Sequence, residues 1–198
     1  MNAHRVARIA MIAAVYAGAT LIAMLFLGWM AWGPMQFRIS EALTVLALFT
    51  PDAIPGLTLG CVIANVVNIP LSGVGTLGLL DVVFGSLATF LGATFSWRFR
   101  DKPTLAVLGP VLANAIIVPA YLPLMLGGLG FYTIPFTSID VEGVYPLMYL
   151  FGFVFTGIGE AAVLYCLGLP LYHALAASPL ASMLSQDTVG TIAEEVHD

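Results

Sequence analysis

From residue 9 to residue 30 the chain runs for 22 residues without a charged side chain. At about 1.5 Å per residue, a helix of that length crosses a hydrocarbon core of about 30 Å. The run is too long for the apolar stretch of a signal peptide, and no small-residue cleavage pattern follows it. Further apolar runs, with at most one charge each, cover residues 53–69, 77–97, 105–126 and 147–169. Composition agrees: 60% of the residues are apolar, 9% are charged, and the mean hydropathy is +1.00. Soluble domains carry about 25% charged residues, so this chain has too few to cover a surface in water. A soluble globular domain is therefore excluded. So are a disordered chain, which needs low hydrophobicity, and a nucleic-acid binder, given six Lys plus Arg against eleven Asp plus Glu. The pattern predicts an all-α membrane protein with several spans.

Residues 38–50 decide the topology. They form a short amphipathic stretch with Arg38, Ser40, Glu41 and Thr44, bounded by Gly33-Pro34 and Pro51-Asp52. If the stretch does not cross, Arg98, Arg100 and Lys102 lie opposite Arg5 and Arg8. If it crosses, all five lie on one side, as the positive-inside rule prefers. The expectation is six spans, at about 9–30, 38–50, 53–69, 77–97, 105–126 and 147–169. Both termini are then cytoplasmic, and the outer loops are 31–37, 71–76 and 127–145. The spans make one domain, 1–176. Residues 177–198 form an acidic tail holding Asp187, Glu194, Glu195 and Asp198.

A charge inside a bilayer costs about 2.5–3.5 kcal/mol on insertion scales, so each one requires a reason. Within the spans stand Arg38, Glu41, Asp81 and Glu160, with Asn65, Asn68 and Asn114 as the main uncharged polar groups. Six spans put most of them toward the outer half, with Glu160 deeper, where they can line one outward-facing cavity. Other readings stay open. Arg38 and Glu41 stand i, i+3 and can pair with each other. The asparagines also suit interhelical hydrogen bonds. Asp81 lies close enough to the interface to be solvated, and Glu160 also reads as a neutral carboxyl in a dry core. Phe37 and Phe84, with the loop aromatics Trp32, Phe131 and Tyr132, can stack on a planar ligand or belong to the interfacial aromatic belt.

Catalytic signatures are missing: the sequence holds no HExxH, GxSxG or Walker lysine. Its histidines stand only at 4, 173 and 197. No enzyme activity, metal or cofactor is expected. Cys61 and Cys166 lie in apolar runs and read as small buried hydrophobes. On the first span, Ala10 with Ala14 and Ala13 with Ala17 form two small-xxx-small frames, a spacing that admits another helix or packs within the protein.

The stretches QFRISEALTVL (36–46), AIPGLTLGCVIAN (53–65), LLDVVFGSLAT (79–89), GPVLANA (109–115) and GIGEAAVLY (157–165), in this order, resemble the QueT family. Its members are substrate-binding S components of energy-coupling-factor transporters associated with uptake of queuosine precursors. The resemblance covers residues 5–175. It implies a six-helix bundle in a prokaryotic cell membrane that binds cargo from outside and toggles to release it inward. It also implies partners: a transmembrane coupling protein and two ATPase subunits that hydrolyse the ATP. Such components dock on the coupling protein through an AxxxA pattern, which here means Ala10, Ala13, Ala14 and Ala17.

The residues are compatible with a 7-deazaguanine. Its N–H and NH₂ donors suit carboxylates, its carbonyl suits Asn or Arg, and a cationic aminomethyl group suits a second acid. Glu41, Asp81 and Glu160 supply acceptors, while Gln36, Arg38, Asn65, Asn68 and Asn114 supply donors. The choice of deazaguanine rests on the resemblance. The rival readings are an S component for another vitamin-like cargo, a small intramembrane enzyme, and a stand-alone carrier.

Overall fold

The structure, a computed structural model, describes residues 3–134, 138–179 and 183–184. Five helical rods are long and apolar enough to cross a membrane: Ala3–Ala31, Ala53–Ser72, Gly75–Arg98, Pro103–Leu126 and Tyr145–Ala176. The first is α1 (Ala3–Leu27) continued by a 3-10 turn, and the second is α2 (Ala53–Ser72). The third joins a 3-10 turn and a π turn, Asp81–Gly85, to α3 (Ser86–Arg98). The fourth joins α4 (Pro103–Ala106) to α5 (Leu108–Leu126). The last joins α6 (Tyr145–Val163), through a second π turn (Leu164–Gly168), to α7 (Leu169–Ala176). Side chains such as Leu25 and Phe26, above 80% exposed, face outward, as expected where lipid tails are the solvent.

The sixth element differs from its expected form. Arg38 is not helical; it precedes a ten-residue 3-10 helix, Ile39–Leu48, too short to be counted with the long rods. Seven of its ten residues are buried, and it touches α1, α2, α3, α6 and α7. A 3-10 helix rises about 2.0 Å per residue, so ten residues reach about 20 Å rather than the 15 Å of an α-helix.

α1 and α2 run in the same direction. Ile12 lies against Gly56, and Tyr16 against Gly60. The chain must therefore return between them, and its contacts record that descent. The Phe37 N–H donates to the Met30 carbonyl (2.7 Å) at the far end of α1. Thr20 Oγ1 donates to Ser40 Oγ (2.6 Å), and the Tyr16 hydroxyl meets Glu41. Finally Asp52 meets Arg5 Nε (2.8 Å) and Arg8 Nε (3.1 Å) near the start of α1. At that same end Phe49 stacks on Tyr172 (5.2 Å), and Arg8 Nη1 donates to the Leu184 carbonyl (3.3 Å). Non-helical backbone at membrane depth is tolerated only where protein covers it. Segment 32–38 meets that condition: Gly33 N–H bonds the Trp29 carbonyl (2.6 Å), and Thr156 Oγ1 donates to the Pro34 carbonyl (3.0 Å).

Small residues let α1 and α2 approach. A side chain on Gly60 would meet the Ala13 carbonyl at 2.7 Å and Tyr16 Cβ at 2.9 Å. Ala13 and Ala17 are accordingly buried, while Ala10 and Ala14 are exposed. Of the four alanines expected to dock a partner, Ala13 and Ala17 are thus taken up within the protein, because neighbouring helical positions point about 100° apart and α2 covers one frame. Cys166 is also corrected, being exposed rather than buried. Apart from residues 177–179 and 183–184, the expected tail lies outside the described residues.

Substituting Gly60→Val will lower the melting temperature of the detergent-solubilised protein by several degrees. This follows from an overpacking cost of about 1–3 kcal/mol and about 2–4 °C per kcal/mol at this size. Gly18→Ala, where nothing lies within 4 Å of the added carbon, will leave it unchanged. Equal effects of the two would contradict the close α1–α2 crossing.

Candidate functional site

Segment 32–38 carries Gln36 and Arg38 into the bundle, where neither is more than 1% exposed. A buried guanidinium demands partners because its desolvation costs several kcal/mol. Arg38 Nη2 donates to Asn65 Oδ1 at 3.5 Å, and its Nη1 approaches Cys61 Sγ at 3.5 Å, both on α2. Asp81, at the start of the π turn, faces Arg38 Nη2 at 3.7 Å. These contacts lie at the long end of the hydrogen-bonding range, and Arg38 Nε has no hydrogen-bond partner among the described residues. Cys61 is buried as expected, but its sulfur sits in this polar group.

Asp81 is held more firmly from another side. The Tyr121 hydroxyl on α5 donates to its Oδ1 at 2.5 Å, and Asn65 Nδ2 donates to its backbone carbonyl at 2.8 Å. Gly85 makes room, since a side chain there would meet Asp81 Oδ1 at 2.6 Å and the Tyr121 hydroxyl at 3.2 Å. A π turn adds one residue to the helical circuit and often marks a functional position; here it sets Asp81 and Gly85 on the interior.

Glu41 forms a second group, with α1 and α3. The Tyr16 hydroxyl donates to Oε1, joined by Thr89 Oγ1 (3.3 Å), and Thr44 Oγ1 donates to Oε2 (3.1 Å). Arg38 and Glu41, which the spacing allowed to pair, each find other partners. Arg38 caps the helix from outside it, in a non-helical conformation, and its side chain turns to α2 and Asp81 instead.

Glu160 on α6 is fully buried, and neither carboxylate oxygen has a hydrogen-bond partner among the described residues. The preceding Gly159 lies against the backbone carbonyl of Gln36, so Glu160 borders the descending segment. Asn114 is buried on α5, two turns before Tyr121, and its Nδ2 is also without a partner. Gln36 donates through Nε2 to the Ala31 carbonyl at 3.4 Å, leaving Oε1 unpaired. Asn68 is buried one turn beyond Asn65. Phe37 is half-buried. Phe84 is 41% exposed and stacks on Tyr121 at 5.8 Å, behind the polar group rather than in it.

The described part of loop 127–144 closes one end of the bundle. Phe131 packs against Trp29 (5.7 Å) and Trp32 (5.8 Å). The Gly128 N–H donates to the Glu142 carboxylate. Tyr132 is 1% exposed, with its hydroxyl unpaired. Burial, and next the nearby Glu142 carboxylate, push its phenol above the ordinary range, which keeps it neutral. Tyr16, Thr89 and Tyr121 were not singled out in the sequence. Their one signal is a hydroxyl deep within an apolar run, away from the ends where aromatic belts form.

A family model described as QueT transporter matches residues 6–177. Over 88 residues the chain is 36% identical to a protein of Lactococcus lactis subsp. cremoris described as "Queuosine precursor transporter QueT". That alignment takes in 44% of this chain and 51% of the relative, so the chain spans about half the length of the curated relative it matches. No solved structure matches it. The family match includes every element that borders the polar interior, from α1 to α7, and the chain belongs to the QueT transporter family.

Proposed function

We propose that this protein captures a queuosine precursor at the outer face of a prokaryotic cell membrane, as the S component of an energy-coupling-factor importer. The observation that carries the reading is the set of under-paired polar atoms buried inside a QueT-family bundle. Native interiors pair their polar groups. Among the described residues, Gln36 Oε1, Asp81 Oδ2 and both oxygens of Glu160 are acceptors without a hydrogen bond, Arg38 Nε and Asn114 Nδ2 are donors without one, and the Ser86 and Tyr132 hydroxyls, which can donate or accept, are unpaired too. Such a set suits a ligand that carries several N–H donors beside a carbonyl. A 7-deazaguanine is such a ligand, with its ring N–H groups, exocyclic NH₂ and single carbonyl.

In this reading Arg38 and Asn114 address the ligand carbonyl, and Gln36, Asp81 and Glu160 take its N–H groups. Glu41, Asn65 and Asn68 hold the wall from which Arg38 projects, while Phe37 and Phe84 bound the apolar side. The description of the Lactococcus relative supports the choice of cargo. The rival reading of a different vitamin-like cargo keeps the same architecture and fails or survives with the same binding measurement.

The descent of residues 32–52 between two parallel helices supports counting it as a sixth crossing. The chain then has an even number of crossings, in keeping with the contact of Arg8 with Leu184. The cytoplasmic face is assigned by Arg5, Arg8, Arg98, Arg100 and Lys102. The sequence carries no nucleotide-binding motif, so ATP hydrolysis falls to two partner ATPases, coupled through a membrane protein. That coupling protein would dock on the exposed Ala10 and Ala14.

Two outcomes follow. The folded, detergent-solubilised protein will bind a 7-deazaguanine by calorimetry and ignore guanine. Asn114→Ala will weaken binding about tenfold, the value of one lost hydrogen bond in a dry site, with its melting temperature little changed. Absence of binding by every deazaguanine in folded protein would remove the assignment. Secondly, replacing Ala10 and Ala14 together by Trp will abolish co-purification with the coupling protein while leaving ligand affinity within about threefold. Retained co-purification would exclude that face.

A further inference from the structure

The chain holds six Lys plus Arg, and the fold sorts them into two sets. Arg5 and Arg8 meet Asp52, and Arg38 faces Asp81. Arg98, Arg100 and Lys102 share the corner between α3 and α4, where all three are exposed. Among the described residues none of these three forms an ion pair with a carboxylate, and the corner holds one acid, Asp101. The corner is firmly built. The Lys102 N–H donates to the Phe99 carbonyl (2.9 Å), which closes the turn. Ser96 Oγ donates to the Ala106 carbonyl (2.9 Å), and the Tyr165 hydroxyl donates to the Thr104 carbonyl (3.0 Å). The Arg100 guanidinium lies 4.1 Å over the Trp97 ring, and its Nη1 donates to the Trp97 carbonyl at 3.2 Å. Phe99 packs on Phe95 at 4.4 Å. Groups placed in advance lose little freedom when a ligand arrives.

The surroundings say what kind of ligand fits. The corner ends two of the long apolar rods, Gly75–Arg98 and Pro103–Leu126, so it lies at the depth of lipid headgroups, where Trp is enriched. On α3, positions 87, 91, 94 and 98 share one helical face. Leu87 and Leu91 are 42% and 44% exposed, and the Thr94 hydroxyl is taken up by the Phe90 carbonyl (2.7 Å). An apolar lane therefore leads along the helix to a cation at its end.

We infer that the α3–α4 corner binds an anionic phospholipid, its headgroup held by Arg98, Arg100 and Lys102 and its acyl chain lying along Leu91 and Leu87. The site is separate from the polar interior and independent of what that interior carries. It anchors the third and fourth rods at the membrane surface. A zwitterionic headgroup offers the same phosphate but brings its own cation. Only a lipid with net negative charge gains from three cations set against one acid.

The tryptophans of the chain are Trp29, Trp32 and Trp97, so Trp29→Phe with Trp32→Phe leaves one reporter, in the corner. Bromine on the acyl chains of a lipid quenches an adjoining tryptophan. Full-length protein in vesicles that mix brominated and plain lipids therefore yields relative association constants. Phosphatidylglycerol will bind beside Trp97 about tenfold more tightly than phosphatidylcholine, the scale of a few surface cations partly screened by salt. Salt at about 0.5 M will lower that ratio. Replacing Arg98, Arg100 and Lys102 together by Gln will bring it within about twofold of unity. In the converse variant, Trp97→Phe, the remaining Trp29 and Trp32 at the opposite end of the bundle will report no such preference. Equal constants at Trp97 overturn the inference and leave the corner to an acidic protein surface. So does a preference that survives the triple Gln variant, or one that Trp29 and Trp32 report as strongly. The ratio at Trp97 and its salt dependence are read with the basic corner intact and do not require the Gln variant to fold.

Discussion

Arg38 is the group on which the interior of this bundle depends. A guanidinium in the middle of a membrane protein is stable only if the surrounding chain supplies acceptors. To do so, the chain leaves helical geometry on both sides of it. Residues 32–38 descend without regular structure, and the π turn at Asp81–Gly85 aims a carboxylate inward. Asn65 links the two by meeting Arg38 with its oxygen and the Asp81 backbone carbonyl with its nitrogen. Even so, the contacts of Arg38 are long, at 3.5–3.7 Å, whereas Tyr121 holds Asp81 at 2.5 Å. Glu41 and Asp81 are fixed and the cation is loosely held. That asymmetry suits a donor group waiting on an acceptor better than a strut locking two helices.

The sequence made the charged half of this arrangement legible. Arg38, Glu41, Asp81 and Glu160 stand out because any charge in an apolar span is costly, and they are buried together. The five long rods were equally plain from run length. What the sequence withheld was partner choice. Tyr16 and Tyr121 were passed over, because a phenol reveals its hydrogen-bonding role only when the carboxylate beside it is known. The frames Ala10/Ala14 and Ala13/Ala17 gave the spacing for a close helix contact but not the side on which it falls. That was decided by Gly56 and Gly60 on α2, a GxxxG pair whose register with Ala13 is tertiary information. The irregular descent of 32–38 was hidden for the same reason. Nothing local specifies it, and Thr156, more than a hundred residues away, satisfies its backbone.

The division between regular and irregular elements matches the division of labour expected in a transporter. α2, α5 and α6 pack through small residues and apolar side chains and form a frame. Three of the buried charges sit on the irregular parts, Arg38 on segment 32–38, Glu41 on the 3-10 helix and Asp81 on the π turn, while the asparagines and Glu160 stand on the frame. The irregular parts have poorer hydrogen-bond geometry than an α-helix and rearrange at lower cost. A transporter needs parts that rearrange as its cargo enters and leaves, set in a frame that does not.

The choice of phenols as carboxylate partners has its own logic. Pairing Glu41 and Asp81 each with a lysine or arginine would have buried two more charges, each with a desolvation cost of several kcal/mol. A tyrosine hydroxyl satisfies the oxygen without adding charge, and its ring packs against helices as well as any apolar side chain. Tyr16 does so between α1 and α2 beside Gly60, and Tyr121 does so against Phe84. The consequence is that two buried acids are satisfied without a further cation in the interior.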